Sequence, residues 1–331
     1  MDIILDYKKE IEKLKNELDV TVVAHFYQKD EVFEMADITG DSLELAKKSK
    51  ASSSKYIVFC GVGFMGESVK VMSPDKTVLM PKLACCAMAS MIDVDFYQSS
   101  LQKILDAGIK KEDILPITYI NSSAAVKAEV GKMGGLVCTS SNAFKIIEKG
   151  LATGKKIYFV PDRCLGQNFA KQMGLKSVVI GDGQDIASAD IICFDGFCSV
   201  HQLFNADDID FYKQKYDDII VAVHPECDPK VVDKADFVGS TSQLIKFITE
   251  LPQDQKVVVG TEFNMVNRLR DKNTYILSST KPECPTMNET TLKDLYDTLK
   301  SIKDGNLINE IKVDDEVVKY ARVALERMFE V

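Results

Sequence analysis

The stretch ADITGDSLELAK, residues 36–47, returns in altered form as ADFVGSTSQLIK at residues 235–246. The Ala, Asp, Gly and Lys of both stretches stand at identical offsets, with a spacing of 199 residues between the copies. A fainter middle copy, SSNAFKII at 140–147, aligns with TSQLIKFI at 241–248 at a spacing of 101. A period of about 100 residues is too long for a solenoid and predicts three similar units around a pseudo-threefold axis. A chance resemblance between ordinary α/β units is the alternative.

Apolar runs rich in β-branched residues alternate with helical patterns along the chain, which predicts an α/β protein. The predicted strands lie in VTVVAHFY, YIVFCG, TVLMP, ILPITYIN, GLVCTS, KIYFVPD, SVVIG, DIICFDG, IIVAVHPE, DFVGSTS and KVVVGTE. This order indicates three homologous αβα units, each with a parallel sheet, and a site beyond the carboxyl ends of the strands. We place the units at residues 1–110, 111–212 and 213–331. Helices at about 5–18, 290–303 and 315–330 are expected to be packing elements.

The composition argues against a nucleic-acid-binding, a membrane-spanning or a disulfide-rich protein. The 331 residues carry a formal net charge of -9 with a pI near 5.1, which argues against a broad nucleic-acid surface. The first residues lack a secretory signal, and no apolar run reaches the roughly 18 residues of a membrane span. We therefore expect a cytoplasmic protein. Its nine cysteines are too sparse for a disulfide scaffold, so they are core thiols, metal ligands or catalytic groups.

The segment FCGVGFMGE, residues 59–67, carries the Gly-x-Gly-x-x-Gly spacing of a dinucleotide-binding loop. Such a site also needs an acidic residue at the end of the next strand, about 20 positions on, to hold the ribose. Cys85 and Cys86 stand there instead, so the dinucleotide interpretation fails. We expect these glycines to let the backbone pass close to a substrate cavity and to the neighbouring units.

Three cysteines lie in polar, turn-prone settings, one after each copy of the repeat: Cys86 in ACCAMAS, Cys198 in DGFCSVH and Cys284 in KPECPTMN. Single thiolates from three loops can hold an iron–sulfur cluster and leave one iron open as a Lewis acid. Zinc is the competing metal, although the chain has no C-x-x-C pair, and core thiols are the simpler alternative. Cys85 adjoins Cys86, and adjacent side chains in an extended segment point apart, so one of the two is expected to reach a metal. The remaining cysteines are expected in the core: Cys60, Cys138, Cys164, Cys193 and Cys227.

All three histidines lie at candidate sites, where imidazole can transfer protons near neutral pH. They are His25 in AHFYQ, His201 in CSVHQ and His224 in VHPE. Tyr27 and Glu226 each follow a histidine by two positions, so they point the same way from their strand ends. In the middle unit, ITYIN adds hydrogen-bonding groups at Tyr119 and Asn121.

Hydroxyl residues precede three helical patterns, at Asp41-Ser42, Thr139-Ser140 and Ser240-Thr241. Hydroxyls and free amide groups at helix starts bind anions, so these loops suit a phosphate or carboxylates. Ordinary helix capping by the same residue types is the alternative. Equivalent positions in the repeat predict that the three loops face one centre.

Ten motifs follow one another along nearly the whole chain: AHFYQKDEVFEMADITGDSLELA, FCGVGFMGE, ACCAMAS, YINSSAAVKA, VCTSSNA, PDRCLGQ, GFCSVHQLF, VHPECDP, VGSTSQLI and CPTMNETTL. Together they resemble the quinolinate synthase family of bacterial NAD biosynthesis. The resemblance implies three α/β units around a central 4Fe-4S cluster, with Cys86, Cys198 and Cys284 as ligands and one open iron. Family members commonly have Gly where this chain has Cys85, and a basic residue or His where it has Gly63. The C-x-x-C that some members carry near the third ligand is missing, so a regulatory disulfide is not available there.

The resemblance also implies a transferase that condenses iminoaspartate with dihydroxyacetone phosphate to give quinolinate, phosphate and water. The open iron would bind a substrate carboxylate or hydroxyl and assist dehydration. The implied substrate-binding residues are His25, Ser42, Tyr119, Asn121, Ser140, His224, Glu226 and Thr241. The implied catalytic residues are Tyr27, Glu226, His25 and His224, with Tyr27 and Glu226 as proton-transfer groups. Iminoaspartate would come from an aspartate oxidase or dehydrogenase through a transient link, and no nucleic-acid or membrane partner is expected.

Two alternatives use the same cysteines. An aconitase-like hydro-lyase also depends on three thiolates and an open iron. A non-catalytic iron–sulfur sensor would usually carry a DNA-binding helix pair with a basic surface, which this acidic chain does not offer.

Overall fold

The computed structural model describes residues 2–330 and consists of three parallel β-sheets flanked by helices. The strands are β1 (Val20–His25), β2 (Ile38–Gly40), β3 (Tyr56–Cys60), β4 (Thr77–Leu79), β5 (Ile114–Tyr119), β6 (Leu136–Cys138), β7 (Lys156–Val160), β8 (Ser177–Val179), β9 (Ile191–Cys193), β10 (Ile220–Val223), β11 (Phe237–Val238), β12 (Val257–Gly260) and β13 (Thr274–Ile276). The helices are α1 (Asp2–Glu17), α2 (Asp30–Phe33), α3 (Ser42–Ala51), α4 (Gly63–Met72), α5 (Val94–Asp106), α6 (Ala124–Lys132), α7 (Ala143–Leu151), α8 (Arg163–Gln172), α9 (Ala206–Lys215), α10 (Pro229–Val232), α11 (Thr241–Glu250), α12 (Phe263–Arg268), α13 (Leu292–Lys303) and α14 (Asp315–Arg327). All eleven predicted strands are present, and the structure adds two short edge strands, β2 and β13.

The sheets repeat one another in strand order and in register. The first sheet has the order β2-β1-β3-β4, and the third has the corresponding order β11-β10-β12-β13. Ala24 pairs with Thr39 in the first sheet and Val223 with Val238 in the third, which is the register that the 199-residue spacing requires. The middle sheet has the order β6-β5-β7-β9-β8 and therefore contains one additional strand. The predicted fold of three similar parallel α/β units is confirmed.

The inner strands are buried, as expected where helices cover both faces of a parallel sheet, whereas the edge strands β2, β11 and β13 are only partly buried. All six residues of β5 and the last five of β1 are buried. Their β-branched and aromatic side chains fill the space between sheet and helices, which explains why the strands read as nearly continuous apolar runs. Within residues 2–330, no helix combines the length and the apolar character needed to cross a membrane.

Helices from both ends of the chain complete the first two units. α1 packs against α13, where Ile11 shares one buried cluster with Leu295 and Leu299. α14 crosses α6 so closely that a Cβ added to Gly131 would stand 2.1 Å from the Tyr320 carbonyl oxygen, so this crossing requires glycine. α13 and α14 thus follow the third unit in sequence but pack on the first and second. The boundaries assigned to the units stay a prediction.

Candidate active site

Residues from all three units line one cavity beyond the carboxyl ends of the strands. Its wall includes every residue to which the family resemblance gives a role, but not His201, the third histidine at a candidate site. They are His25, Tyr27, Ser42, Cys86, Tyr119, Asn121, Ser140, Cys198, His224, Glu226, Thr241 and Cys284. The cavity therefore depends on how the units meet and belongs to none of them alone.

Two equivalent turns orient the cavity histidines. The backbone N–H of Tyr27 donates to Nδ1 of His25 at 3.1 Å, and the N–H of Glu226 donates to Nδ1 of His224 at 3.3 Å. Burial lowers the pKa of His25 to about 4 and that of His224 to about 3, so both rings are neutral at neutral pH. Since Nδ1 accepts a hydrogen bond in each ring, the proton is assigned to Nε2, which makes each histidine a donor to a ligand.

A continuous chain of polar contacts crosses the three units beside these histidines. Tyr119 donates its hydroxyl to Glu226, and His201 Nδ1 lies 2.9 Å from the other Glu226 carboxylate oxygen, although the ring is not aligned for a straight hydrogen bond. His201 Nε2 lies 3.1 Å from the hydroxyl of Thr261, which lies 3.0 Å from the hydroxyl of Tyr27. This chain of contacts links Glu226 to Tyr27, the two residues to which the family resemblance gives proton-transfer roles.

The two ends of this chain differ in charge. Although burial opposes ionisation of Glu226, the neighbouring His224 and His201 and the hydrogen bond from Tyr119 hold its pKa below the usual value. Burial raises the pKa of Tyr27 well above the usual value, and the charge of Glu226 adds to this effect. At neutral pH the carboxylate therefore accepts protons, and the phenol retains one to donate.

One backbone hydrogen bond recurs in all three units and determines where the cavity cysteines lie. The first residue of α4, α8 and α12 donates its N–H to a carbonyl that precedes a cavity cysteine by two positions. These bonds join Gly63 to Ala84 at 2.8 Å, Arg163 to Gly196 at 2.8 Å and Phe263 to Pro282 at 3.1 Å. The carbonyls of the cysteines then accept an N–H from Ser90 at 3.0 Å, Gln202 at 3.2 Å and Asn288 at 3.1 Å. Cys86, Cys198 and Cys284 therefore occupy equivalent positions.

Cys85 lies outside this arrangement. It is exposed, and its Sγ lies 2.9 Å from the hydroxyl of Ser90. Cys86 is partly buried and contributes to the cavity wall. The two adjacent thiols thus face different surroundings, which matches the alternation of an extended segment.

The three cavity thiols form a donor set that fits an iron–sulfur cluster. Burial raises the pKa of Cys86 to about 12 and also raises the pKa values of Cys198 and Cys284. A thiol binds metal as a thiolate, so a bound cation must displace these protons. One equivalent cysteine from each unit gives three ligands around a common centre, which leaves one iron of a four-iron cluster without a protein ligand.

Cys198 also belongs to a smaller group that could hold a single metal ion. Its Sγ and ligand atoms of His201 and Glu226 lie within 4.8 Å of one another. Both ring nitrogens of His201 already have polar neighbours, Glu226 at Nδ1 and Thr261 at Nε2. A single-ion site would break these contacts, so the group fits proton transfer better than metal binding.

The five cysteines expected in the core are buried, as predicted: Cys60, Cys138, Cys164, Cys193 and Cys227. Burial raises the pKa of each of these thiols. They behave as small apolar residues that pack between sheets and helices.

Two helix starts bring hydroxyls and amide groups to the cavity. Asp41 caps α3 and Ser240 caps α11, each within a reciprocal capping box. Ser42 and Thr241, the first residues of these helices, line the cavity. Asp41 Oδ2 also accepts the hydroxyl of Ser242 at 2.8 Å, so this carboxylate joins the first unit to the third.

The middle helix, α7, starts later than the repeat predicts. It begins at Ala143, because Asn142 Oδ1 accepts the N–H of Thr139 at 2.8 Å and closes an additional turn before the helix. Ser140 still lines the cavity from this turn, and the hydroxyl of Ser141 donates to Asp41 at 3.1 Å. The third hydroxyl loop therefore reaches the cavity without capping a helix.

A family model described as Quinolinate synthetase A protein matches residues 9–330. The chain belongs to this family. A quinolinate synthase of Helicobacter pylori is 55% identical over 331 residues, covering 98% of each chain. A quinolinate synthase of Acidobacterium capsulatum is 41% identical and covers 94% of this chain and 88% of its own length. One of Streptomyces coelicolor is 40% identical, with coverages of 93% and 84%. The family resemblance inferred from the motifs is confirmed, and the chain is an enzyme of the quinolinate synthase family.

Two buried residues behind the cavity of this quinolinate synthase family member are not predicted by the sequence patterns. Thr261 is fully buried within the proton-transfer chain. Glu262 is also buried, with a pKa that burial raises to about 8, and its carboxylate accepts the N–H of Cys284 at 3.3 Å. A repeat spacing of 100 residues would have pointed to the position of Glu262. Val62, Asp162 and Glu262 are spaced in this way and are the N-cap residues of the equivalent helices α4, α8 and α12.

Proposed function

We propose that this chain condenses iminoaspartate with dihydroxyacetone phosphate and releases quinolinate, phosphate and two waters, a step of de novo NAD biosynthesis. The observation that carries the proposal is one cavity in which three equivalent cysteines, anion-binding helix starts and a buried proton-transfer chain converge. The relatives named quinolinate synthase support it.

Cys86, Cys198 and Cys284 would hold the 4Fe-4S cluster. When bound, its open iron supplies Lewis-acid chemistry to a carboxylate or hydroxyl of the substrate. Glu262 positions the third of these ligands by accepting the N–H of Cys284. The exposed Cys85 takes no part in this assignment.

Both proposed substrates are anions, and the cavity offers them neutral hydrogen-bond donors. Ser42 and Thr241 stand at helix starts, where the helix dipole and free amide groups favour negative charge. His25 and His224 add Nε2–H donors, and Asn121 adds an amide. We assign the substrate carboxylates and phosphate to these groups, with Ser140 and Tyr119 completing the wall.

Ring formation requires protons to leave carbon and nitrogen and to reach departing oxygens. We assign the accepting role to ionised Glu226 and the donating role to Tyr27, whose hydroxyl is also 3.0 Å from Thr241. His201 and Thr261 lie between them and can carry a proton from the carboxylate to the phenol. This proton-transfer chain would return Glu226 to its ionised form and Tyr27 to its protonated form after each turnover.

The test uses anaerobic protein with reconstituted cluster, to which iminoaspartate and dihydroxyacetone phosphate are added together while pyridine dicarboxylate is measured. Formation of quinolinate with release of one phosphate per product is expected. Tyr27→Phe and Glu226→Gln should keep the visible spectrum of the cluster but depress turnover. Absence of quinolinate together with turnover of citrate would favour an aconitase-like hydro-lyase, and activity with neither would favour a sensor.

A further inference from the structure

Lys127 is a buried cation that the proposed chemistry leaves unexplained. It lies in α6, and its side chain is 0% exposed. Burial lowers its pKa to about 7, while nearby Glu67 and Cys86 act in the opposite direction. A lysine is costly to bury, and an apolar side chain of similar length would fill the same space at lower cost. Its presence therefore points to a specific set of contacts.

The amine of Lys127 holds two carbonyls on either side of one cavity residue. Nζ donates to the carbonyl of Ile120 at 2.7 Å and to the carbonyl of Ser122. Asn121 lies between them and faces the cavity, and Tyr119 directly before them donates to Glu226. Fixing both neighbouring carbonyls restricts the backbone rotations that aim the Asn121 side chain.

The first unit holds the same loop from its other side. Glu67, the last residue of FCGVGFMGE, accepts the N–H of Ala124 at 2.7 Å where α6 begins. Phe64 from the same segment lines the cavity, and its ring centroid lies 5.4 Å from Lys127 Nζ. The glycine-containing segment thus supports the loop that follows β5 and the amine that anchors it.

We propose that Lys127 is a positioning residue that fixes residues 119–122 and thereby aims Asn121 and Tyr119 into the cavity. The amine acts through backbone carbonyls and does not touch substrate. Both its protonated and its neutral form can donate the two hydrogen bonds. The effect on catalysis rests on the proposed function, whereas the effect on the loop does not.

The test compares Lys127→Met, which keeps the length of the side chain, with Lys132→Met on the exposed face of the same helix, where Lys132 pairs with Glu129. Lys127→Met should retain wild-type iron and sulfide after anaerobic reconstitution. It should increase amide hydrogen exchange in residues 119–124 and lower kcat/KM about 10- to 100-fold, since small misplacements of binding groups cost this much. Lys132→Met should change none of these values.

A double-mutant cycle separates positioning from a general structural effect. In an Asn121→Ala background, Lys127→Met should lower kcat/KM by a smaller factor than it does alone, because one of the two residues that it positions is already gone. In a Tyr27→Phe background, it should keep its full effect. Unchanged amide exchange in residues 119–124 would overturn the proposal. So would a Lys127→Met effect on kcat/KM that is as large in the Asn121→Ala background as in the wild type.

Two further outcomes remain decisive. If Lys127→Met fails to bind the cluster, amide exchange in residues 119–124 is compared between wild type and variant, both without cluster. Faster exchange in the variant supports the role of the amine in fixing the loop, and equal exchange overturns it. If the wild type forms no quinolinate, the proposed function fails, while the same exchange rates still decide whether Lys127 fixes residues 119–122.

Discussion

Thr261→Val removes one oxygen atom from the middle of the proton-transfer chain and nearly preserves the shape of the side chain. The Thr261 hydroxyl lies 3.0 Å from the Tyr27 hydroxyl and 3.1 Å from His201 Nε2 in a fully buried environment. Tyr27 keeps its contact with Thr241 at 3.0 Å, but His201 Nε2 loses this partner. A buried polar atom left unpaired costs about 1–3 kcal/mol, so the free energy of unfolding should fall by this amount.

Thr261→Val should lower kcat by more than the loss of unfolding free energy alone would explain. Positioned acid–base groups contribute about 100- to 10,000-fold to reaction rates, so interrupting their connection should lower kcat by about 100-fold or more. The assay is anaerobic quinolinate formation per bound cluster, with iron content measured on the same sample. Thr261→Ser is the matched control, because it keeps the hydroxyl and loses one methyl group.

Wild-type kcat for Thr261→Val at full iron content would refute the proposed path through Thr261. An equal loss of turnover in Thr261→Ser would assign the effect to packing, since the serine variant retains the oxygen. A defect in the valine variant alone is the result that the geometry predicts.

Two further predictions concern the cysteines and the histidines. Cys86→Ser should lose most iron and sulfide after reconstitution, whereas Cys85→Ser should retain them; the opposite pattern would move the ligand to Cys85. Acidification should make His25 and His224 destabilise metal-free protein, because burial lowers their pKa values to about 4 and about 3 from 6.5. The unfolded chain binds these protons first, so each histidine should cost about 2 kcal/mol between pH 7 and pH 5, measured by urea unfolding. Glu262, whose pKa burial raises to about 8, acts in the opposite direction, so the metal-free wild type is compared with His224→Gln. The same pH dependence of the unfolding free energy in both proteins would contradict a neutral buried His224.

Strand positions could be predicted because hydrophobic pattern and burial coincide in this fold. The strands β5 and β12 are almost entirely apolar, and both are buried along their length. The edge strands β2 and β13 escaped prediction because their segments, ITG and TYI, are mostly only partly buried and do not form an apolar run. The later start of α7 depends on one side chain, Asn142, whose contact with Thr139 competes with helix capping.

The cavity wall could be predicted because strand ends in parallel α/β units converge. His25 and His224 stand at equivalent strand ends in the repeat, and both line the cavity. The supporting residues could not be predicted, because their importance comes from contacts across unit boundaries. Thr261 is ordinary in sequence, and only the approach of Tyr27 and His201 from the other units gives its hydroxyl a role.

The backbone repeats more faithfully than the side chains, and this difference explains how a pseudo-threefold arrangement supports a reaction without threefold symmetry. The hydrogen bond that places each cavity cysteine recurs in all three units, so three equivalent thiols follow from the repeat itself. The cap residues at the same junctions have diverged to Val62, Asp162 and Glu262. Three equivalent thiols suit a shared cluster, whereas proton transfer needs groups of unequal pKa, so a repeated backbone with different side chains suits both proposed roles in one cavity.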